Sequence, residues 1–148
     1  MVWAGITYNG KTPLIFLDAG VKINSNIYRD MLEEKLLPWA QRHFGNRAWT
    51  FMQDSAPAHK ALQTQDWLHN NCHDFITKDD WPSNSPDLNP LDYSIWSILQ
   101  AQMNAEAHDS VDSLKQYIME GFENLKQDMI NRAVDDWMMR LDAVIASE

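Results

Sequence analysis

Residues 49–54 read WTFMQD and are followed by SAPAH at 55–59, a short apolar run that closes on an acid just before a proline. The spacing predicts a strand over Trp49, Thr50, Phe51 and Met52 that ends at Gln53-Asp54. Pro57 then opens a helix in which Ala61, Leu62, Trp67 and Leu68 are placed to face a core. Phe75-Ile76-Thr77 reads as the next short strand. Upstream, residues 2–8 (VWAGITY) and 13–18 (PLIFLD) form two β-rich runs around Asn9-Gly10, a strong hairpin signal. Asn24 or Ser25 can cap a helix in which Ile27, Tyr28, Met31, Leu32, Leu36 and Trp39 recur at helical spacing. Pro38 should kink or restart that helix, and Gly45 should end it.

Downstream, residues 79–90 (DDWPSNSPDLNP) hold three prolines and no periodicity, so a loop is expected. Helical patterns fill about 90–104, 110–126 and 128–146. Ser110 is a plausible N-cap, and Leu114, Ile118, Phe122 and Leu125 give the second of these helices an apolar face. The order hairpin, helix, strand, helix, strand, helices predicts one mixed α/β domain spanning 1–148.

The 148 residues are 45% hydrophobic and 22% charged, with seven tryptophans, which fits a globular chain with a core and argues against disorder. No apolar run approaches the roughly 20 residues of a membrane helix, so no membrane partner is expected. No secretory signal is visible. The lone Cys72 excludes an internal disulfide and suits a reducing compartment. The net charge of −9 is unevenly spread. Residues 1–78 carry eight Lys/Arg against seven Asp/Glu, whereas residues 79–148 carry four against fourteen. Phosphate backbones are bound chiefly by Lys and Arg. Any DNA contact is therefore expected on the first half or on parts of a longer protein, and a basic DNA-coating protein is disfavoured.

Two acids stand apart by position. Asp54 closes a strand, and strand C-termini in α/β sheets are where ligands collect. Asp92 falls in the first turn of a helix opened by Asn89-Pro90. Two carboxylates brought together repel unless a cation joins them. Mg²⁺ is bound by one or two carboxylates with waters and phosphates. Each acid also has a structural reading: Asp92 at N3 complements the helix dipole, and Asp54 can be a turn residue bonding its own backbone.

The strings FMQDSAPAH (51–59) and WPSNSPDLNPLDYSIW (81–96) resemble the catalytic domain of mariner-type DNA transposases. The opening VWAGIT, the hairpin, Asn26-Ile27-Tyr28 and the ending MMRLDAVI (138–145) are similar to the same domain. The resemblance implies a ribonuclease-H-like (integrase-like) α/β fold with a helical C-terminal part. It implies metal-dependent DNA strand cleavage and transfer in transposition, with Mg²⁺ or Mn²⁺ as cofactor. Transposon ends and target DNA would be the partners, a homodimer the assembly and the nucleus the location. Carried over by position, Asp54 matches the family's second catalytic and metal-binding acid and Asp92 the third. Ser55 stands where the family usually has Asn and still offers a small hydrogen-bonding group. His59 falls at the motif's histidine; it either works near the scissile phosphate or packs the first turn of its helix.

The resemblance places the family's first acid on a strand ahead of the motif that begins at Val2, after a helix-turn-helix region. The expectation is an N-terminally incomplete domain with two of three acids, inactive alone. Asp18 ends the second hairpin strand but does not match the first-acid position. The rival expectation is a non-catalytic, transposase-derived remnant that binds nucleic acid or protein. A generic helical interaction domain would follow if Asp54 and Asp92 were far apart. His69, Cys72 and His73 have ligand chemistry, but structural zinc wants four ligands. The tryptophans fall mostly in predicted elements and are expected in the core; Trp81, in the loop beside the presumed site, is the exception.

Overall fold

A computed structural model describes residues 2–17, 22–82 and 85–147; Asp18 lies outside the described residues. Two units emerge, Met1–Leu17 with Pro86–Glu148, and Asp18–Ser85.

The first unit begins with the predicted hairpin. Val2–Trp3 (β1) pairs antiparallel with Ile15–Phe16 (β4), and Ile6–Thr7 (β2) with Gly10–Lys11 (β3). Val2 lies opposite Phe16 and Thr7 opposite Gly10, so residues 4–5 face residues 12–14. The extra residue is a bulge, and it falls where Pro13 has no N–H to donate. Thr12 repairs the ladder: its N–H donates to the Gly5 carbonyl at 2.9 Å, and its Oγ1 accepts from the Gly5 N–H at 2.8 Å. A Cβ on Gly5 would stand 3.1 Å from Thr12 Cγ2, so this close approach suits glycine. The turn lies at Tyr8-Asn9, one residue before the expected Asn9-Gly10. Asn9 takes the left-handed φ of 64° that asparagine tolerates, which frees Gly10 to pair. Asn131 holds this turn by accepting from the Asn9 N–H at 2.8 Å and donating to Asn9 Oδ1 at 3.1 Å.

Three helices pack against the hairpin: Trp96–Asn104 (α5), Val111–Glu123 (α6) and Gln127–Ala146 (α7). Ser110 caps α6 as expected, its Oγ accepting from the Ser113 N–H at 3.1 Å. Phe122, Ile95 and Ile130 are fully buried among Ala4, Leu14, Leu99 and Leu125. Gly121 lets α5 approach closely, since a Cβ there would lie 3.2 Å from Leu99 Cδ2. Lys11 donates from Nζ to the carbonyls of Phe122 at 2.7 Å and Glu123 at 2.6 Å. A cation thereby satisfies the open C-terminus of α6.

The second unit begins with Ser25–Met31 (α1), capped by Asn24 Oδ1 accepting from the Ile27 N–H at 2.9 Å. A π turn, Leu32–Leu36, leads into Leu37–Phe44 (α2). The expected break at Pro38 takes this form: Leu37 donates to the Leu32 carbonyl, and the wider turn absorbs the donor that proline lacks. Gly45 ends α2 with φ 58°. Tyr28, Met31, Leu32, Leu36 and Ala40 form the buried face.

Thr50–Phe51 (β5) runs parallel to Asp74–Phe75 (β6). Pro57–Lys60 (α3) and Leu62–Asn71 (α4) connect them. The helix expected from Pro57 is broken at Ala61, whose ψ of 141° is extended. The break explains why Leu62, expected in the core, is 69% exposed, while Thr64 and Leu68 are buried. Trp81 is also buried, at 7% exposure, and its N–H donates to the Thr77 carbonyl. It is a packing residue of the 77–81 turn and offers no stacking platform. Among the described residues no helix is long and apolar enough to cross a membrane.

Candidate active site

Asp54 belongs to the second unit, where β5 runs through Met52 and Gln53 into the turn before α3. Its Oδ1 accepts from the Ala56 N–H at 3.1 Å, the turn contact that an aspartate favours. The same oxygen lies 2.6 Å from His59 Nδ1. Nδ1 is not aligned for a full hydrogen bond, so the contact is one of close approach. The Asp54 side chain is 45% exposed and that of His59 20%. The His59 ring, first, and then the Ala56 N–H hold the Asp54 carboxyl below the usual carboxylate range, against the opposing effect of partial burial.

His59 is itself held. Its ring stacks on Tyr28 with centroids 4.2 Å apart, and Tyr28 is almost fully buried. Its carbonyl accepts from Gln53 Nε2 at 3.2 Å and from Gln65 Nε2 at 2.9 Å. The Tyr28 hydroxyl donates to Gln53 Oε1. Gln65 Oε1 accepts from the Lys78 N–H at 3.0 Å. Ser55 is half-buried in the same turn.

Asp92 belongs to the first unit, in the π turn Leu91–Ile95 that leads into α5. Asn89 caps this start as expected, its Oδ1 accepting from the Leu91 N–H at 3.1 Å and its carbonyl from the Asp92 N–H at 2.9 Å. Asp92 is exposed. Helix α7 braces the turn: the Tyr93 hydroxyl donates to the Ala133 carbonyl, and the Arg140 guanidinium lies 3.8 Å from the Tyr93 ring centre.

Tyr28, Gln53 and Gln65 carry no site motif of their own in the sequence. A tyrosine on an otherwise apolar helix face, with its hydroxyl in need of a partner, was the available signal.

His69 and His73 are exposed, whereas Cys72 is buried at the end of α4. Among the described residues no group of three or more His, Cys, Asp or Glu side chains is arranged to hold a metal. Burial pushes the Cys72 thiol up to about 11. The folded chain should therefore react slowly with iodoacetamide at pH 8, and denaturant should speed the reaction strongly. Equal rates with and without denaturant would contradict the buried placement.

The sequence pattern described as DDE superfamily endonuclease matches residues 2–115. The Tc3 transposase of Caenorhabditis elegans is 30% identical over 150 residues, which cover 100% of this chain and 44% of that protein. The Tcb2 transposase of Caenorhabditis briggsae is 27% identical over 145 residues, 98% of this chain and 50% of that protein. The chain thus spans about half the length of these curated relatives. The crystal structure of the catalytic domain of Mos1 mariner transposase superposes with a TM-score of 0.85 at 23% identity, covering 99% of this chain and 72% of that one. The Mos1 paired-end complex with left transposon end gives 0.82 at 25% identity, covering 99% and 42%. The expected ribonuclease-H-like fold is therefore the observed one. The chain belongs to the DDE superfamily endonucleases, as a transposase-type catalytic domain homologous to the Tc1/mariner transposases.

Proposed function

We propose that Asp54 and Asp92 are the catalytic, metal-binding carboxylates of a domain that cleaves and joins DNA strands in transposition. The observation that carries this reading is the state of Asp54: ordered beyond the end of a parallel strand, half exposed, and held ionised by His59 and the Ala56 N–H. Ionised carboxylate oxygens are hard donors, which suit Mg²⁺ or Mn²⁺ and not softer ions. The Mos1 catalytic domain has been solved with Mg and with Mn. A bound divalent ion would activate water and stabilise the leaving oxygen in phosphodiester cleavage.

Asp54 and Asp92 would each supply carboxylate oxygens to the metal, and His59 keeps Asp54 charged as an accessory group. Ser55 lies beside it as a small polar neighbour. Residues 1–148 act in this reading as one domain. Transposon ends and target DNA are the substrates, with the nucleus as the site of action. The Mos1 paired-end complex supports a protein–DNA assembly, and a homodimer is the form we propose.

A second reading, a transposase-derived module that binds nucleic acid or protein without cutting, rests on the ligand grouping: among the described residues no three His, Cys, Asp or Glu side chains are arranged to hold a metal. Purified residues 1–148 are expected to bind Mn²⁺ through Asp54 and Asp92 and to leave transposon-end DNA uncut. Robust metal-dependent nicking that Asp92→Ala abolishes would overturn the inactivity. Absence of any Mg²⁺-linked or Mn²⁺-linked stabilisation would favour the binding module.

A further inference from the structure

We propose that Tyr28 and Gln53 are positioning residues for Asp54, acting through His59, whose ring stacks on Tyr28 and whose backbone carbonyl Gln53 holds; this rests on the metal-site reading above. Tyr28 grips the ring by its face, with centroids 4.2 Å apart and planes 28° from parallel. Its hydroxyl donates to Gln53 Oε1, which orients the Gln53 amide so that Nε2 donates to the His59 carbonyl. Gln65 donates to the same carbonyl and is itself anchored by the Lys78 N–H. The ring is therefore fixed at its face and at its backbone by side chains from α1, the β5–α3 turn and α4. With both fixed, Nδ1 stays on Asp54 Oδ1.

Ala56 also donates to Oδ1. Both contacts thus fall on one carboxylate oxygen, and Oδ2 is the oxygen an approaching cation meets. Outer partners of this kind set the orientation of a ligating carboxylate and its affinity. Tyr28 lies in helix α1, before the motif that contains Asp54, so helix and motif together build one half-site.

The test uses residues 1–148 with Mn²⁺ alone as probe and two readouts. The first is Mn²⁺ affinity; the second is the His59 Nδ1–H resonance in ¹⁵N spectra, which a purely packing role for Tyr28 would leave in place. Tyr28→Phe keeps the stacked face and removes the hydroxyl, and Gln53→Leu removes the amide. In each variant we expect about a tenfold loss of Mn²⁺ affinity, together with a shifted or exchange-broadened Nδ1–H signal. Tyr28→Leu, which also removes the face, should lose the signal entirely. If folded Tyr28→Phe and Gln53→Leu keep both the affinity and the resonance, the proposal is overturned. Should Asp54→Asn leave Mn²⁺ affinity unchanged, the metal-site reading fails. The His59 resonance in the Tyr28 and Gln53 variants then still decides the positioning claim.

Discussion

Phe122→Ala is expected to lower the unfolding free energy of the first unit by about 3–5 kcal/mol. The ring is fully buried where α6 meets the hairpin and α5, with Trp96 stacked on it at 6.4 Å and Lys11 Nζ 5.4 Å from its centre. Alanine would leave a cavity lined by Ile95, Leu99 and Ile130, which helix termini and a bulged hairpin cannot easily close. Urea titration followed by tryptophan fluorescence should show a lower midpoint with little change in slope. Met139→Ala, at a position 74% exposed on α7, should change stability by less than about 0.5 kcal/mol. Equal effects at the two positions would mean that Phe122 is not the centre of this core.

The second large effect concerns metal. Asp54→Asn and Asp92→Asn keep the side-chain shape and remove the charge. Loss of an outer partner typically costs a metal site roughly 10–100-fold, so if the proposed assignment of both acids as ligands holds, loss of either should cost at least about a hundredfold in Mn²⁺ affinity. His59→Gln, one contact away, should cost less. The Asp54 substitution should also flatten the acid side of the stability profile of the second unit. A carboxyl whose folded pKa is depressed contributes stability above its unfolded value, near pH 4, and loses it as pH falls further. Urea midpoints at pH 3 and pH 7 check the sign: they should lie closer together in Asp54→Asn than in the unsubstituted chain.

Local signals in the sequence were read well wherever one residue's backbone chemistry settles the matter. Asn24 and Ser110 cap the helices they precede, Gly45 ends α2 at positive φ, and Asn89 caps the turn that carries Asp92. The hairpin was placed correctly but its turn was not. Asn9 carries the left-handed φ itself, and the bulge opposite residues 4–5 shifts the register by one. Leu62 and Trp81 went the other way from expectation because burial depends on where a helix breaks and how a loop folds back. Hydrophobicity records neither.

Asp54, His59 and Asp92 are legible in the sequence as motif positions. The clamp on His59 is not, because Tyr28, Gln53 and Gln65 meet only after α1, the β5–α3 turn and α4 have packed. The contacts of Tyr28 with Gln53 and His59 span 25 or more positions and leave no periodic trace in a single chain.

The central claim is the proposal that the carboxylates of residues 54 and 92 bind divalent metal. The most direct measurement is paramagnetic broadening of their ¹³C side-chain signals by substoichiometric Mn²⁺. The account predicts that both signals broaden while those of other exposed carboxylates, such as Asp112, stay sharp. Broadening confined to one of the two, or spread evenly over all exposed carboxylates, would contradict it.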